Sequence, residues 1–464
     1  MSKFFAEVSA LIKLALPVSL AQLAIMGMSA TDVIIAGKAS TTDLAGMTLG
    51  ANTWNLISLF FMGISFATQP LIAKQFGANN DKGVKHQLHQ SIWMCLGLGF
   101  IAMLCVWIVA WVMQFSSYAP EMLGVARNYL FVIGLSALPI VMIGALRGTL
   151  EGMSLTRIVF YINLAAFLIN IPLDYVFVNG LFGMPKLGGV GCALATTILV
   201  WLMFLVCILV LKYHHRLLAL RLFKDFQPPN RKTIWRTMQL GFPIGVSIVI
   251  EMSLFAGSGI LIAKFGEIEA GAHAVAITVA SMSFMLYMGL GQGVTIRASQ
   301  LVGAEKHVEA WYAIKSGSYL NLILSIFVCV LFIFFTEPLI RLFSDDEKVI
   351  PLAITLLYFG AAFQIVDSLQ VAAIFGLRAY QDTVSPPKYQ FVAFWVFGLP
   401  LGVYLSFFDT SFHLNGAKGM WFAMIVSLLV VGVLLLRRLK VVAAENLSND
   451  FHSVEILKPE QRSL

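Results

Sequence analysis

The residue whose chemistry most needs explaining is Glu251, an acid near the centre of a long apolar run. The run covers residues 240–264 and has no basic residue before Lys264. A helix needs about 20 mostly apolar residues to cross a bilayer, and a carboxylate at its midpoint costs at least about 2.5 kcal/mol on insertion scales. We interpret Glu251 as an ion-coupling residue. The alternative is a protonated acid that joins helices by hydrogen bonding.

Three further acids lie inside apolar runs, namely Asp32, Asp174 and Asp367. No Lys or Arg lies deep in a predicted span, so we do not expect simple ion pairs to neutralise these acids. Carboxylates are hard oxygen ligands, which suits reversible protonation or Na⁺ coordination. Asn170 precedes Asp174 by four residues, which places both on one helical face and favours a polar pocket with Asp32. Ordinary interhelical hydrogen bonding is the alternative role for Asn170.

The composition identifies an integral membrane protein. The 464 residues are 59% hydrophobic and 12% charged, whereas soluble domains carry about 25% charged residues. The five cysteines lie in apolar runs without a CxxC motif, so we expect packing residues rather than disulfides. The N-terminal residues do not resemble a cleaved signal peptide. Hydropathy predicts twelve spans, near 14–36, 47–72, 91–114, 129–149, 158–179, 191–211, 240–263, 271–296, 316–336, 350–376, 389–408 and 419–436.

The distribution of Lys and Arg predicts the orientation. The termini and the even-numbered connections contain 24 of the 31 basic residues, and the odd-numbered connections contain the other 7. Because cytoplasmic loops are enriched in Lys and Arg, we expect both termini in the cytoplasm. The net charge of +7 then reflects this enrichment rather than nucleic-acid binding. We predict an N-lobe at 1–211, a basic cytoplasmic linker at 212–238, a C-lobe at 239–440 and a cytoplasmic tail at 441–464.

An internal repeat supports the division into two lobes of six spans each. LALPVSL at 14–20 matches LGFPIGV at 240–246, and FMGISFATQPLIAKQFGA at 61–78 matches YMGLGQGVTIRASQLVGA at 287–304, both at the same separation along the chain. LRGTLEG at 146–152 also resembles LRAYQDT at 377–383. An even number of spans in each half makes the repeats parallel, as in one class of secondary transporters. Substrate and ions are then expected in the cleft between the lobes.

These stretches resemble the multidrug and toxic compound extrusion (MATE) transporters, and in particular their bacterial NorM-type branch. The resemblance covers nearly the whole chain and is carried by LALPVSLAQLAIMGMSATDVIIAG, GISFATQPLIAKQFGA, INIPLDYVFVNGLFGMPKLGGVGCALAT, LGFPIGVSIVIEMSLF, FQIVDSLQVAAIFGLRAYQDT and GLPLGVYL. It implies an all-α membrane protein of two six-helix bundles in a V shape. It also implies antiport of cationic or amphipathic drugs against Na⁺ or H⁺.

The resemblance assigns a role to the N-lobe residues. Asp32 corresponds to the family's acid in the first helix, which couples ions and contacts substrate. Asn170 and Asp174 correspond to its polar partners, and Thr196 is expected as a further partner.

In the C-lobe, Glu251 and Asp367 correspond to the cation-site acids of the NorM-type branch, where Na⁺ is expected to bind. Asp367 is expected to contact substrate as well, as is Asp346 in a predicted extracellular loop. One position departs from the pattern, because Phe363 stands where some NorM-type members have an oxygen-bearing Tyr. The missing oxygen weakens the Na⁺ site, so we favour Na⁺ as the coupling ion and keep H⁺ as the alternative.

Other functions fit the sequence less well. A flippase for lipid-linked precursors would need basic residues in its cleft for pyrophosphate, and no Lys or Arg lies deep in the predicted spans. No HExxH, Walker or Ser/His/Asp pattern indicates an enzyme. We therefore expect a transporter that is not an enzyme, needs no cofactor besides its coupling ion and binds no nucleic acid. We also expect a monomer in the bacterial inner membrane that interacts with lipid and small organic molecules.

Overall fold

The computed structural model describes residues 2–116, 119–408 and 414–456, and all regular structure in these ranges is helical. Kinked or short segments divide some of the spans, so there are more helices than spans. Three single 3₁₀ turns and one π-helical segment, Val392–Gly398, lie among them. The α-helices are α1 Ser2–Ala39, α2 Thr41–Ser65, α3 Thr68–Gly77, α4 Asp81–Val112, α5 Pro120–Gly134, α6 Ala137–Gly152, α7 Thr156–Asn179, α8 Gly189–Tyr213, α9 Arg231–Ile262, α10 Glu267–Gly303, α11 His307–Phe334, α12 Thr336–Arg341, α13 Ile350–Ala379, α14 Ser385–Phe391, α15 Leu399–Phe407 and α16 Ala417–Ile456.

The number of helices able to cross a membrane agrees with the sequence prediction. Eleven helical stretches of the described ranges are long and apolar enough to cross a bilayer. A twelfth span forms if α5 and α6 are counted together, although they are bent by 45° at a short break. The prediction of an all-α membrane protein is therefore confirmed, with eleven spans or twelve.

The chain packs as two compact units, Leu20–Ile248 and Met1–Ser19 with Val249–Leu464. Two long helices each contribute to both units, because α1 passes from one to the other after Ser19 and α9 does so after Ile248. The predicted lobes, 1–211 and 239–440, follow the order of the spans and remain a prediction. The helix α9 begins inside the predicted linker, and α16 continues into the predicted tail as far as Ile456.

In the unit Leu20–Ile248, the first part of α9 packs against α2. The approach is so close that a Cβ on Gly63 would lie 2.8 Å from the Cα of Gly245. Nearby, the rings of Phe60 and Phe242 make an edge-to-face contact with centroids 5.8 Å apart. Small residues permit such approaches in membranes, where helix association depends on van der Waals packing.

In the other unit, the first part of α1 packs against α10 in the equivalent way. A Cβ on Gly289 would overlap the backbone of Ser19, and Leu11 is fully buried in the core of this unit. Arg297 of α10 fixes the start of α1 with two hydrogen bonds to the Glu7 carboxylate, at 2.8 and 3.1 Å. The sequence repeat aligns Ser19 with Gly245 and Gly289 with Gly63, so both units use the same packing.

Candidate functional site

An acidic cluster lies where α1, α7 and α8 meet in the unit Leu20–Ile248. The Nδ2 group of Asn170 donates to Oδ1 of Asp32 at 3.3 Å, and the Cys192 thiol donates to the Asp32 carbonyl oxygen at 3.7 Å. Asn170 and Asp174 are buried, with exposures of 1% and 0%. Since Asn170 and Asp174 are one helical turn apart, α7 presents both to α1. The structure thus brings Asn170 to Asp32, as the sequence predicts.

Several oxygens of this cluster have no hydrogen-bond partner. Within the described ranges, both carboxylate oxygens of Asp174 and the amide oxygen of Asn170 are buried and unpartnered. Asp174 also interacts electrostatically with Asp32, and the two carboxyl groups can hydrogen-bond to each other when one of them holds a proton. Two acids and an unpaired amide oxygen in a buried site carry a desolvation cost that a proton or a cation would relieve. This arrangement can therefore bind either a proton or a small cation.

The cluster borders a cavity of about 220 Å³. Asp32 and Thr196 line the cavity, and the bulky side chains of Trp54, Met28 and Met203 form part of its wall. A mostly apolar cavity with a few convergent polar groups is typical of a small-molecule site. Aromatic and methionine side chains also suit binding of varied organic cations.

An arginine in the wall of this cavity was missed by the sequence analysis. Arg147 is 9% exposed and lies within α6, whereas the sequence analysis counted it with the connection that follows the span 129–149. Its Nε donates to Oε1 of Glu151 at 2.5 Å, and Gln69 donates to Oε2 of the same carboxylate at 2.6 Å. Glu151 therefore neutralises Arg147, and the i,i+4 spacing of the two residues was the available sequence signal.

In the other unit, Glu251 of α9 lies beside two buried amides. Gln370 of α13 donates to Oε1 of Glu251 at 3.3 Å, and Gln390 of α14 donates to Oε2 at 3.3 Å. Asp367 of α13 is 1% exposed and interacts electrostatically with Glu251. The structure thus brings the two predicted C-lobe acids into one site, and the two amides were missed.

Two oxygens near these acids lack a partner. Oδ1 of Asp367 and Oε1 of Gln370 are both buried without a hydrogen bond in the part of the chain that the structure describes. The cation Arg378 also interacts electrostatically with Glu251. The site therefore combines two acids, two buried oxygen atoms without a hydrogen bond and a neighbouring positive charge.

Phe363 contributes no polar atom to this site. Its ring lies 6.0 Å from the rings of Phe255 and Trp421, measured between centroids. The indole Nε1 of Trp421 in turn donates to Nδ1 of His273 at 3.2 Å. Position 363 is thus part of an aromatic cluster, which also provides the buried His273 with a hydrogen-bond partner.

Asp346 is separate from the site of Glu251 and Asp367. It is exposed and lies in the turn before α13, where its Oδ1 accepts from the Lys348 amide at 2.9 Å. Asp367 lies 17 residues beyond the start of α13 at Ile350, or about 25 Å at 1.5 Å per residue. The structure therefore does not bring Asp346 to Asp367.

Comparisons with known proteins agree with this architecture. A family model described as MatE matches residues 17–176 and 243–404. The two matched segments begin at Pro17 and Pro243, which the sequence repeat aligns with each other. Among curated proteins, "Multidrug resistance protein NorM" of Aliivibrio fischeri is 34% identical over 442 residues, covering 95% of both chains. The protein of the same name in Vibrio cholerae is 33% identical over 440 residues, covering 95% of this chain and 96% of that one.

Solved structures are similar as well. The crystal structure of the eukaryotic MATE transporter AtDTX14 matches with a TM-score of 0.84 and 17% sequence identity, covering 96% of this chain and 99% of that chain. At this level of identity, the structural match concerns the fold alone.

Proposed function

Because the chain belongs to the MatE family, we propose that it is a NorM-type multidrug efflux transporter that exchanges cationic or amphipathic compounds for Na⁺ or H⁺. The curated relatives named NorM are multidrug resistance proteins, and they align with nearly the whole chain. We further propose that it works as a monomer in the bacterial inner membrane with both termini in the cytoplasm.

One observation carries the proposal of ion-coupled transport of organic cations. The Asp32–Asn170–Asp174 cluster holds buried, unpartnered oxygens, and its Asp32 lines a cavity with apolar and aromatic walls. A cation or proton at this cluster would change the charge on the cavity wall. Binding of the coupling ion and of a cationic compound would then oppose each other, which is the condition for exchange.

The second cluster supports Na⁺ as the coupling ion. Na⁺ would be held by the carboxylates of Glu251 and Asp367 and by the amide oxygen of Gln370. The Gln370 oxygen is unpartnered and would provide a ligand in place of the oxygen that Phe363 does not have. H⁺ remains the alternative, because a single buried carboxylate is sufficient to carry a proton.

An efflux assay tests the function. Cells that produce the protein should accumulate less ethidium than cells without it, and Asp32→Asn should abolish the difference while the protein stays folded and membrane-inserted. Asp345→Asn, which removes an exposed acid, serves as the matched control. Efflux by the Asp32→Asn variant at the wild-type rate would contradict the proposed role of the cluster.

A gradient assay in proteoliposomes identifies the coupling ion. With equal pH on both sides, an imposed Na⁺ gradient should drive substrate movement in the opposite direction, and Glu251→Gln and Asp367→Asn should each reduce it. Transport that follows a pH gradient and ignores Na⁺ would instead identify H⁺.

A further inference from the structure

The segment between the two halves carries a cluster of unneutralised positive charges. Residues 212–238 contain one acid, Asp225, which pairs with Lys85 of α4 at 3.9 Å. By contrast, Arg297 and Arg438, at other positions predicted to be cytoplasmic, each pair with a carboxylate. Seven cations of the segment are exposed and form no ion pair within the described ranges: Lys212, Arg216, Arg221, Lys224, Arg231, Lys232 and Arg236.

Exposed apolar side chains alternate with these cations. Tyr213, Leu218 and Trp235 are exposed by 61%, 53% and 63%, and Nζ of Lys212 lies 5.0 Å from the centroid of the Tyr213 ring. Tyr213 ends α8, and Trp235 lies near the start of α9, so these aromatic residues are at the ends of two candidate spans. Tyr and Trp beside Lys and Arg are typical of the membrane interface. We name residues 212–236 the basic linker surface.

Hydrogen bonds to α4 hold the basic linker surface in place. His89 donates from Nε2 to the Leu222 carbonyl at 2.5 Å, and its Nδ1 accepts from the Gln227 amide at 3.2 Å. Trp93 donates to the Gln227 carbonyl at 3.0 Å, and the Leu222 side chain is only 2% exposed. The backbone that presents the cations is therefore ordered before any ligand binds, which lowers the entropic cost of binding.

We propose that the basic linker surface binds the phosphate groups of anionic phospholipids in the leaflet that borders it. Clusters of four to eight Lys and Arg residues next to a span are the pattern that attracts anionic lipids. The exposed Leu218 and Trp235 favour lipid over nucleic acid, since they offer apolar area at the level of the headgroups. The proposal does not depend on which compound or ion the protein transports.

Lipid binding is tested with the purified full-length protein in a neutral detergent. The probe is fluorescent phosphatidylglycerol, and phosphatidylcholine with the same acyl chains is the uncharged reference. The test variant combines Arg216→Gln, Lys224→Gln and Lys232→Gln. A matched control combines three exposed lysines from the connections predicted to lie on the opposite side: Lys186→Gln, Lys264→Gln and Lys348→Gln.

We expect wild type and the control to retain phosphatidylglycerol in preference to phosphatidylcholine. Each charge removed from the surface should weaken retention of phosphatidylglycerol about fivefold, so the test variant should retain this lipid roughly 100-fold more weakly than wild type. Rising salt should weaken the wild-type interaction. Equal retention by the test variant and the control would overturn the proposal. Displacement of the lipid by equimolar inorganic phosphate, or by a short RNA at lower concentration, would also overturn it.

Discussion

Replacing Gln370 with Leu tests whether the C-lobe acids form a Na⁺ site. Gln370 is fully buried, and its Nε2 donates to Glu251 while its Oε1 has no partner. Loss of a hydrogen bond to a charged group lowers the free energy of unfolding by about 1.5–3 kcal/mol, and removal of an unsatisfied buried oxygen raises it by about 1–3 kcal/mol. The two effects nearly cancel, so without Na⁺ we expect the variant to be about as stable as the wild type.

The response to Na⁺ should differ strongly between the two proteins. A ligand at 100 times its Kd stabilises a protein by about 2.7 kcal/mol. If the lost oxygen weakens Na⁺ binding tenfold, this gain falls to about 1.4 kcal/mol. The measurement is thermal unfolding of the purified protein in NaCl and in choline chloride at equal ionic strength.

Gln364→Leu provides a matched control on the same helix. Gln364 is also fully buried, but its amide is satisfied, because Oε1 accepts from Ser283 at 2.9 Å and Nε2 donates to the Ala280 carbonyl at 3.4 Å. This control should be less stable than wild type, but NaCl should stabilise it as much as NaCl stabilises the wild type. We call this gain in stability over choline chloride the Na⁺ increment. An equal Na⁺ increment in Gln370→Leu and wild type would refute the role of Gln370. The absence of any increment in the wild type would instead refute Na⁺ binding.

Three further predictions concern buried residues. Asp174→Asn keeps the side-chain shape and removes the charge, so we expect ethidium efflux to fall at least about tenfold with folding intact, equivalent to about 1.4 kcal/mol; unchanged efflux would contradict a coupling role. Glu151→Gln leaves the buried guanidinium of Arg147 without its carboxylate and should lower the free energy of unfolding by about 3–5 kcal/mol. A decrease below about 1 kcal/mol in equilibrium unfolding would show that the pair is not essential. Gly289→Val forces a side chain into the backbone of α1, so size-exclusion chromatography should show aggregated protein. Gly97→Val, where nothing lies within 4 Å of the new Cβ, should elute as the wild type does.

The acids of the site were predictable from the sequence because charge is conspicuous in an apolar run. Asp32, Glu251 and Asp367 stand out by hydropathy alone, and the four-residue spacing of Asn170 and Asp174 indicates a shared face. Neutral amides give no comparable signal, which explains why the sequence analysis missed the bonds of Gln370 and Gln390 to Glu251.

Hydropathy also misplaced two arginines that lie close to buried carboxylates in the structure. Arg147 and Arg378 lie near the predicted ends of spans, so they were assigned to connections. In the structure, Arg147 is buried against Glu151, and Arg378 interacts electrostatically with Glu251. Span boundaries inferred from hydropathy are uncertain by several residues, and a long arginine side chain extends over a similar distance.

The repeat predicts which residues are equivalent but does not predict what they pack against. It relates Ser19 to Gly245 and Gly63 to Gly289, yet the same matches would arise if each first helix packed only within its own half. The division of α1 and α9 between the units depends on three-dimensional contacts between distant residues.

This division affects the order in which the protein can fold during synthesis. Residues 1–19 are made before the helix that holds their partners, because α10 begins only at Glu267. In the unit Leu20–Ile248, Gly63 of α2 likewise has no packing partner until Gly245 of α9 has been made. Contacts of such long sequence separation form slowly and leave apolar surfaces unpaired in the meantime. The beginning of α1 can therefore reach its partner only after α10 has been made.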